Sequence, residues 1–272
     1  MVAMIALMKP RHFLLASLGI WAGLAGAQSV ASQAKPAEEP AQGATVQAPF
    51  VGCAGDGQGG PIDAPTDKSM AVAIPAGMAQ RLAYYKAEYG AGVLAPRGWH
   101  CFSTYGSNGS NLFVSPDTID TKDIFSADWE GLTGDAIQIS VVNGGTSGRF
   151  EVAKIIARVF PAYKAFADNV IAEGIEPASD LPFGPYPKDK LMYRSKAVVE
   201  FETPANTEGL GTYSRLRANS IPIEGVAIIL GGGADEDTDL VLLSVRLSGK
   251  DRDLIPTVVR QVKKESVDSK AQ

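Results

Sequence analysis

The sequence predicts an α+β fold: a mainly antiparallel sheet of about six strands with helices packed on one face. Three observations carry this expectation. Strand-like runs come in groups joined by short turns, not in alternation with helices. The segments 75–89, 150–173 and 253–264 repeat apolar residues at helical spacing. Hydrophobic residues make up 45% of 272 and charged residues 20%, enough for one core over residues 50–265.

The chain opens with a processing signal. Lys9, Arg11 and His12 precede FLLASLGIWAGLAGA, which carries no charge from Phe13 to Ala27. Ala25-Gly26-Ala27 places small residues where a signal peptidase reads them, so residues 1–27 read as a secretory signal peptide cut after Ala27. Fifteen helical residues reach roughly 22 Å, short of the ~30 Å hydrocarbon core, which argues against a membrane anchor. No later segment has the length of a span. Met8 begins a more compact signal and is an alternative start. Cleavage removes two basic residues and no acid, leaving 23 basic and 30 acidic residues. A net charge of −7 weighs against nucleic acid as a partner. The expected location is the periplasm of a Gram-negative cell, or the medium.

Residues 28–49 are rich in Ala, Pro and Gln, contain no aromatic residue, and read as a disordered tether. Residues 54–67 form a Gly- and Pro-rich loop. Pro75 opens a predicted helix to Tyr89, with Met78, Leu82, Tyr85 and Tyr89 as its apolar stripe and Gly90 and Gly92 as its stop. Trp99 to Tyr105 reads as a strand with Trp99, Cys101 and Tyr105 on the buried face and His100 on the other. Gly106-Ser-Asn-Gly109 is turn chemistry, and Leu112 to Val114 is the return strand of a hairpin. Ala136 to Val142 is a further strand. Val152, Ile155, Ile156 and Val159 mark a helix, and Pro161 starts or kinks a second one carrying Tyr163, Phe166 and Val170. A Pro-rich loop fills 174–189.

Tyr193 to Thr203 alternates as one strand, with Tyr193, Ala197, Val199 and Phe201 on one face and charges on the other. Ile223 to Leu230 and Leu240 to Leu247 are nearly unbroken apolar runs joined through GGGADEDTD, and read as central strands. Asp253 is the predicted cap of a last helix, with Lys263 and Lys264 at its C-terminal dipole. Residues 266–272 read as a disordered tail.

Export makes a disulfide between Cys53 and Cys101, the only two cysteines, the expected pairing. No cofactor or metal site is expected. Gly55-Asp-Gly-Gln-Gly-Gly60 matches a dinucleotide-binding spacing but follows no strand–helix context and reads as loop glycine. Asp235, Asp237 and Asp239 have alternate spacing, yet Leu240 and Arg246 stand where a calcium loop needs Gly and Glu. His100 is the one histidine of the mature chain, and no G-x-S-x-G elbow occurs. Asp128, Glu130 and Glu151 are possible acid–base carboxylates, with nothing to single them out. Trp99, Trp129 and Tyr105 fit stacking on sugars or peptides and burial in the core equally well. These observations favour a non-catalytic binding or structural protein with an unknown periplasmic or envelope partner. The patch Arg97, Trp99, His100 and Tyr105 is its candidate surface. The alternative is a hydrolase of envelope material with its site near His100.

Overall fold

The computed structural model describes residues 45–119, 124–231 and 238–268. The predicted signal peptide 1–27, residues 28–44 of the predicted tether, Asp235 and Asp237 of the GGGADEDTD segment, and residues 269–272 of the predicted tail lie outside the described residues. The described residues form two sheets. Strands β1 (Thr45–Gly52), β2 (Gly55–Gly57), β3 (Ser69–Ala73), β4 (Leu82–Lys86), β5 (Val93–Pro96), β6 (His100–Gly106) and β7 (Gly109–Ser115) come first. Strands β8 (Ala136–Val142), β9 (Lys190–Ser195), β10 (Val198–Thr203), β11 (Ile223–Leu230) and β12 (Asp239–Arg246) follow. The small sheet runs β3-β1-β4-β5 and the large one β2-β6-β7-β8-β12-β11-β10-β9. Each is antiparallel except for one parallel pair, β1 with β4 and β2 with β6.

This arrangement corrects the expected single sheet with helices on one face. Helix α1 (Ala76–Ala79) is one turn long; α2 (Arg149–Val159), α3 (Lys164–Ala172) and α4 (Ile255–Asp268) are the longer helices among the described residues. The large sheet is covered on both faces. One core joins its Leu112, Ile139, Val226, Val241 and Leu243 to Leu82, Tyr85 and Leu94 of the small sheet and to Val258 and Val262 of α4. The other joins Ala227, Ile229, Leu240 and Leu242 to Ile155 and Ile156 of α2 and Phe166 and Val170 of α3. That double burial is why β11 and β12 read as unbroken apolar runs: each successive side chain meets a different core.

Residues 75–89 do not form the predicted helix. Only α1 is helical there, and Leu82 to Tyr85 form the centre of β4 with all four side chains buried. A strand buried on both faces has no polar alternation, so its apolar positions coincide with helical spacing by chance. Strand β5 was hidden in the same way, in a short Gly-bounded stretch. Tyr193 to Thr203 is also not one strand. It is the β9–β10 hairpin, in which Tyr193 pairs across with Val199 and Leu191 with Phe201. Strand β1 begins at Thr45, inside the segment read as tether, and α4 continues through Asp268, into the segment read as tail. Asp253 does not cap α4. It lies in the 3-10 stretch Gly249–Leu254 and accepts hydrogen bonds from Arg81 at 2.7 and 2.8 Å.

Helix α4 protects an edge as well as a face. Gln261 is buried, and its Oε1 accepts the Leu94 N–H at 2.9 Å while its Nε2 donates to Gly92 O at 3.4 Å. Strand β5 ends the small sheet, so these bonds occupy backbone groups that would otherwise lie buried without partners.

Candidate binding cleft

The Cys53–Cys101 disulfide is present, with Cα atoms 5.4 Å apart across 48 residues. Cys53 follows β1, and its N–H bonds Lys86 O of β4, while Cys101 lies in β6. The bridge therefore ties the small sheet to the large one. Beyond it the chain forms β2, alongside β6. Gly57 is obligatory there, because a Cβ would stand 1.9 Å from Tyr105 O. The Gly-rich stretch is thus a strand and turn laid against β6.

An open cleft of about 540 Å³ lies where the small sheet stops covering the large one. Its floor is the inner face of β6, β7 and β8, where Tyr105, Ser110 and Val141 pair in register. The β6–β7 turn makes this close approach possible: Gly109 has φ +133°, and a Cβ would stand 1.9 Å from Val141 O. One wall is the turn after β2. Tyr105 Oη donates to Gly60 O at 2.6 Å, and Gln58 Oε1 accepts the Ser107 N–H at 3.0 Å. The opposite wall is the β4–β5 connection. Tyr89 is 51% exposed and its ring lies 4.9 Å from that of Tyr105, tilted by 50°. Lys86 Nζ donates to Gly90 O and holds this lip down. Asn143 closes the far end, with its N–H on Asn108 O and a long 3.5 Å contact from Nδ2 to Ser107 O.

Among the lining residues the only titratable groups are the two phenols. The cleft offers ring faces, two carboxamides, a hydroxyl and glycine backbone, which is equipment for recognition. Behind the lip lies a half-buried titrating group. Tyr84 Oη donates to Glu265 Oε2 at 2.8 Å, and burial raises the pKa of both groups. Burial lowers that of Lys86.

The structure divides the patch expected from the sequence. Arg97 is exposed along its flank but spends its guanidinium on backbone, donating to Leu82 O at 3.0 Å and Ala79 O at 2.6 Å. Trp99 is half-buried against the inner core, and its N–H donates to Tyr85 Oη at 3.0 Å. His100 is exposed and opposes Ser115 across the β6–β7 ladder. Tyr105 lies five residues farther along β6, roughly 17 Å away at the rise of a strand. Tyr105 alone of the four lines the cleft. The division of faces along β6 also needs correction. Phe102, on the His100 side, is buried in a third cluster with Phe113 and Ile124, so both faces are covered there.

The other candidates are dispersed. Trp129 packs edge-on against Phe113 at 5.8 Å, with Arg215 over its ring. Glu151 stands on α2, and Asp128 and Glu130 flank Trp129; none of them lines the cleft. Asp239 accepts the Gly144 N–H at 2.8 Å. No three His, Cys, Asp or Glu side chains stand together as a metal set among the described residues. Tyr89 stands at the end of the stripe predicted to be helical core, and nothing in the sequence singles out Gln58, Ser110 or Asn143 as lining. Their common signal was a glycine cluster beside each, at 57–60, 90–92, 106–109 and 143–145. That these four turns converge is not written locally. The chain matches no protein family, and comparison with curated proteins and with solved structures finds no match.

Proposed function

We propose that this chain is an exported, disulfide-stapled periplasmic protein of non-catalytic binding type, and that it takes its ligand in the Tyr89–Tyr105 cleft. The cleft itself carries the proposal: an aromatic pair, Tyr89 exposed and Tyr105 half-buried, beside two carboxamides, with no carboxylate, imidazole, thiol or amine among its lining residues. Export is supported by the basic-then-apolar N-terminus ending in Ala25-Gly26-Ala27, and by a disulfide of the kind that persists in oxidising compartments. Among the described residues no helix is long and apolar enough to cross a membrane.

Two measurements test this. N-terminal sequencing of the periplasmic fraction should begin at Gln28; a full-length chain held in the cytoplasm overturns export. For the cleft, an isotope-labelled mature chain is screened by NMR against small uncharged fragments. Shifts should gather at Gln58, Tyr89, Tyr105 and Asn143, and should vanish in Tyr89→Ala. Shifts confined to other surfaces, or a silent spectrum, reject the cleft as the binding site.

A further inference from the structure

We infer that the ligand of this cleft is a short uncharged saccharide, its ring stacked on Tyr89 and its hydroxyls held by Gln58, Asn143 and Ser110. The inference rests on the binding function proposed above and narrows it to a chemical class.

Each class of ligand requires different partners from the lining. A phosphate, carboxylate or ammonium group needs a compensating charge once it is desolvated, and the lining supplies none. A purely apolar ligand would strip water from two carboxamides and a hydroxyl without replacing its hydrogen bonds. An extended peptide adds to a sheet through an unpaired strand edge. Here the floor is a sheet face, with β6, β7 and β8 already paired to one another. A proline-rich segment docks by inserting rings into slots between aromatic side chains. Tyr89 and Tyr105 instead touch each other at 4.9 Å, which leaves a corner with one broad exposed face.

A pyranose fits what remains. Its C–H face is apolar and matches a phenol ring, while its rim carries hydroxyls that both donate and accept. The polar groups are pre-set for such a rim. Gln58 Oε1 is occupied by the Ser107 N–H, which orients the amide and leaves Nε2 as the donor for a ligand. Tyr105 Oη is tied to Gly60 O, so the ring that backs Tyr89 is held in place. Gly59 and Gly106 let a sugar approach the backbone closely. The volume, about 540 Å³, lies within the ~300–1,000 Å³ of small-molecule sites.

The test titrates the mature protein by NMR and calorimetry with maltose, cellobiose and chitobiose. Parallel titrations use hexaproline, trialanine and inorganic phosphate. At least one disaccharide should bind in the millimolar range or tighter, with shifts at Tyr89 and Asn143. Tyr89→Ala should weaken it by roughly tenfold or more, and Gln58→Ala and Asn143→Ala by severalfold each. Affinity should stay constant between low and high salt, because no charge pair contributes. Binding of a peptide or of phosphate in the cleft, with all three sugars silent, overturns the saccharide class and leaves the cleft as a binding site. Sugar binding that survives Tyr89→Ala at full strength overturns the placement. Fragments and sugars alike failing to touch the cleft overturn the binding function itself.

Discussion

Trp99 and His100 are sequence neighbours with opposite structural roles. Trp99 packs half-buried against the inner core, so Trp99→Ala should cost about 2 kcal/mol, below the ~3–5 of a fully buried aromatic. His100 is exposed, and His100→Ala should change stability by less than about 0.5 kcal/mol. Urea midpoints of the two variants check this ranking; equal midpoints would refute it. Glu265 supplies a pH dependence. Burial raises its folded pKa above the ordinary 4.5, so the folded state holds the proton more tightly than the unfolded chain. Its contribution is therefore most favourable below the ordinary value and is lost as pH rises from there through the folded value. Glu265→Gln keeps an oxygen for the Tyr84 hydroxyl and removes the titration. Between about pH 4 and pH 7 the stability of the variant should fall less with pH than that of the parent. Parallel curves from urea melts across this range would show that Glu265 titrates alike in both states.

At the scale of elements, the β6–β7 hairpin forms the floor of the cleft and depends on one backbone position. Gly109→Ala places a methyl where Val141 O stands and imposes a positive φ on a residue with a Cβ. The expected loss is about 2–4 kcal/mol, with the β7–β8 register disturbed. Thermal unfolding together with amide exchange on Ser110 to Val114 measures both effects; a parent-like melting point would contradict the close approach. The existence of this hairpin was legible in the sequence, because its turn residues and alternating strands are local features, whereas the full length of β7 and the cover over Phe102 were not. Strand β4 was not. Its four consecutive buried residues contain no periodicity that separates strand from helix, and only its neighbours β1 and β5 make it a strand.

For the whole molecule, the disulfide acts as the clamp between two sheets whose shared mouth is the cleft. Closing a loop of 48 residues is worth about 4 kcal/mol in the chain-entropy view. The Cys53→Ala/Cys101→Ala variant should lose most of that, and it should also lose the fragment response at Tyr89, since the two walls of the cleft come from the two sheets. Urea melts and NMR spectra of the double variant test the pair of effects. An unchanged midpoint would mean that burial alone holds the sheets together.

The pairing of the two cysteines, the β6–β7 hairpin, helices α2 and α3 and the apolar runs of β11 and β12 could all be read from the chain, because each depends on composition, spacing or turn chemistry within a short window. The tertiary structure decided everything that depends on what lies opposite. It made a strand of Leu82–Lys86, added a second sheet and placed helices on both faces of the first. It also buried Arg246 completely within an apolar strand, where Nε donates to Gly134 O and the guanidinium reaches Leu132 O and Arg217 O. No local pattern announces those carbonyl partners, which lie more than a hundred residues away for Leu132 and Gly134. The cleft belongs to the same category. Gln58, Tyr89, Ser110 and Asn143 lie far apart in sequence, and they line one cleft only because two sheets tied by one disulfide leave a gap at their junction.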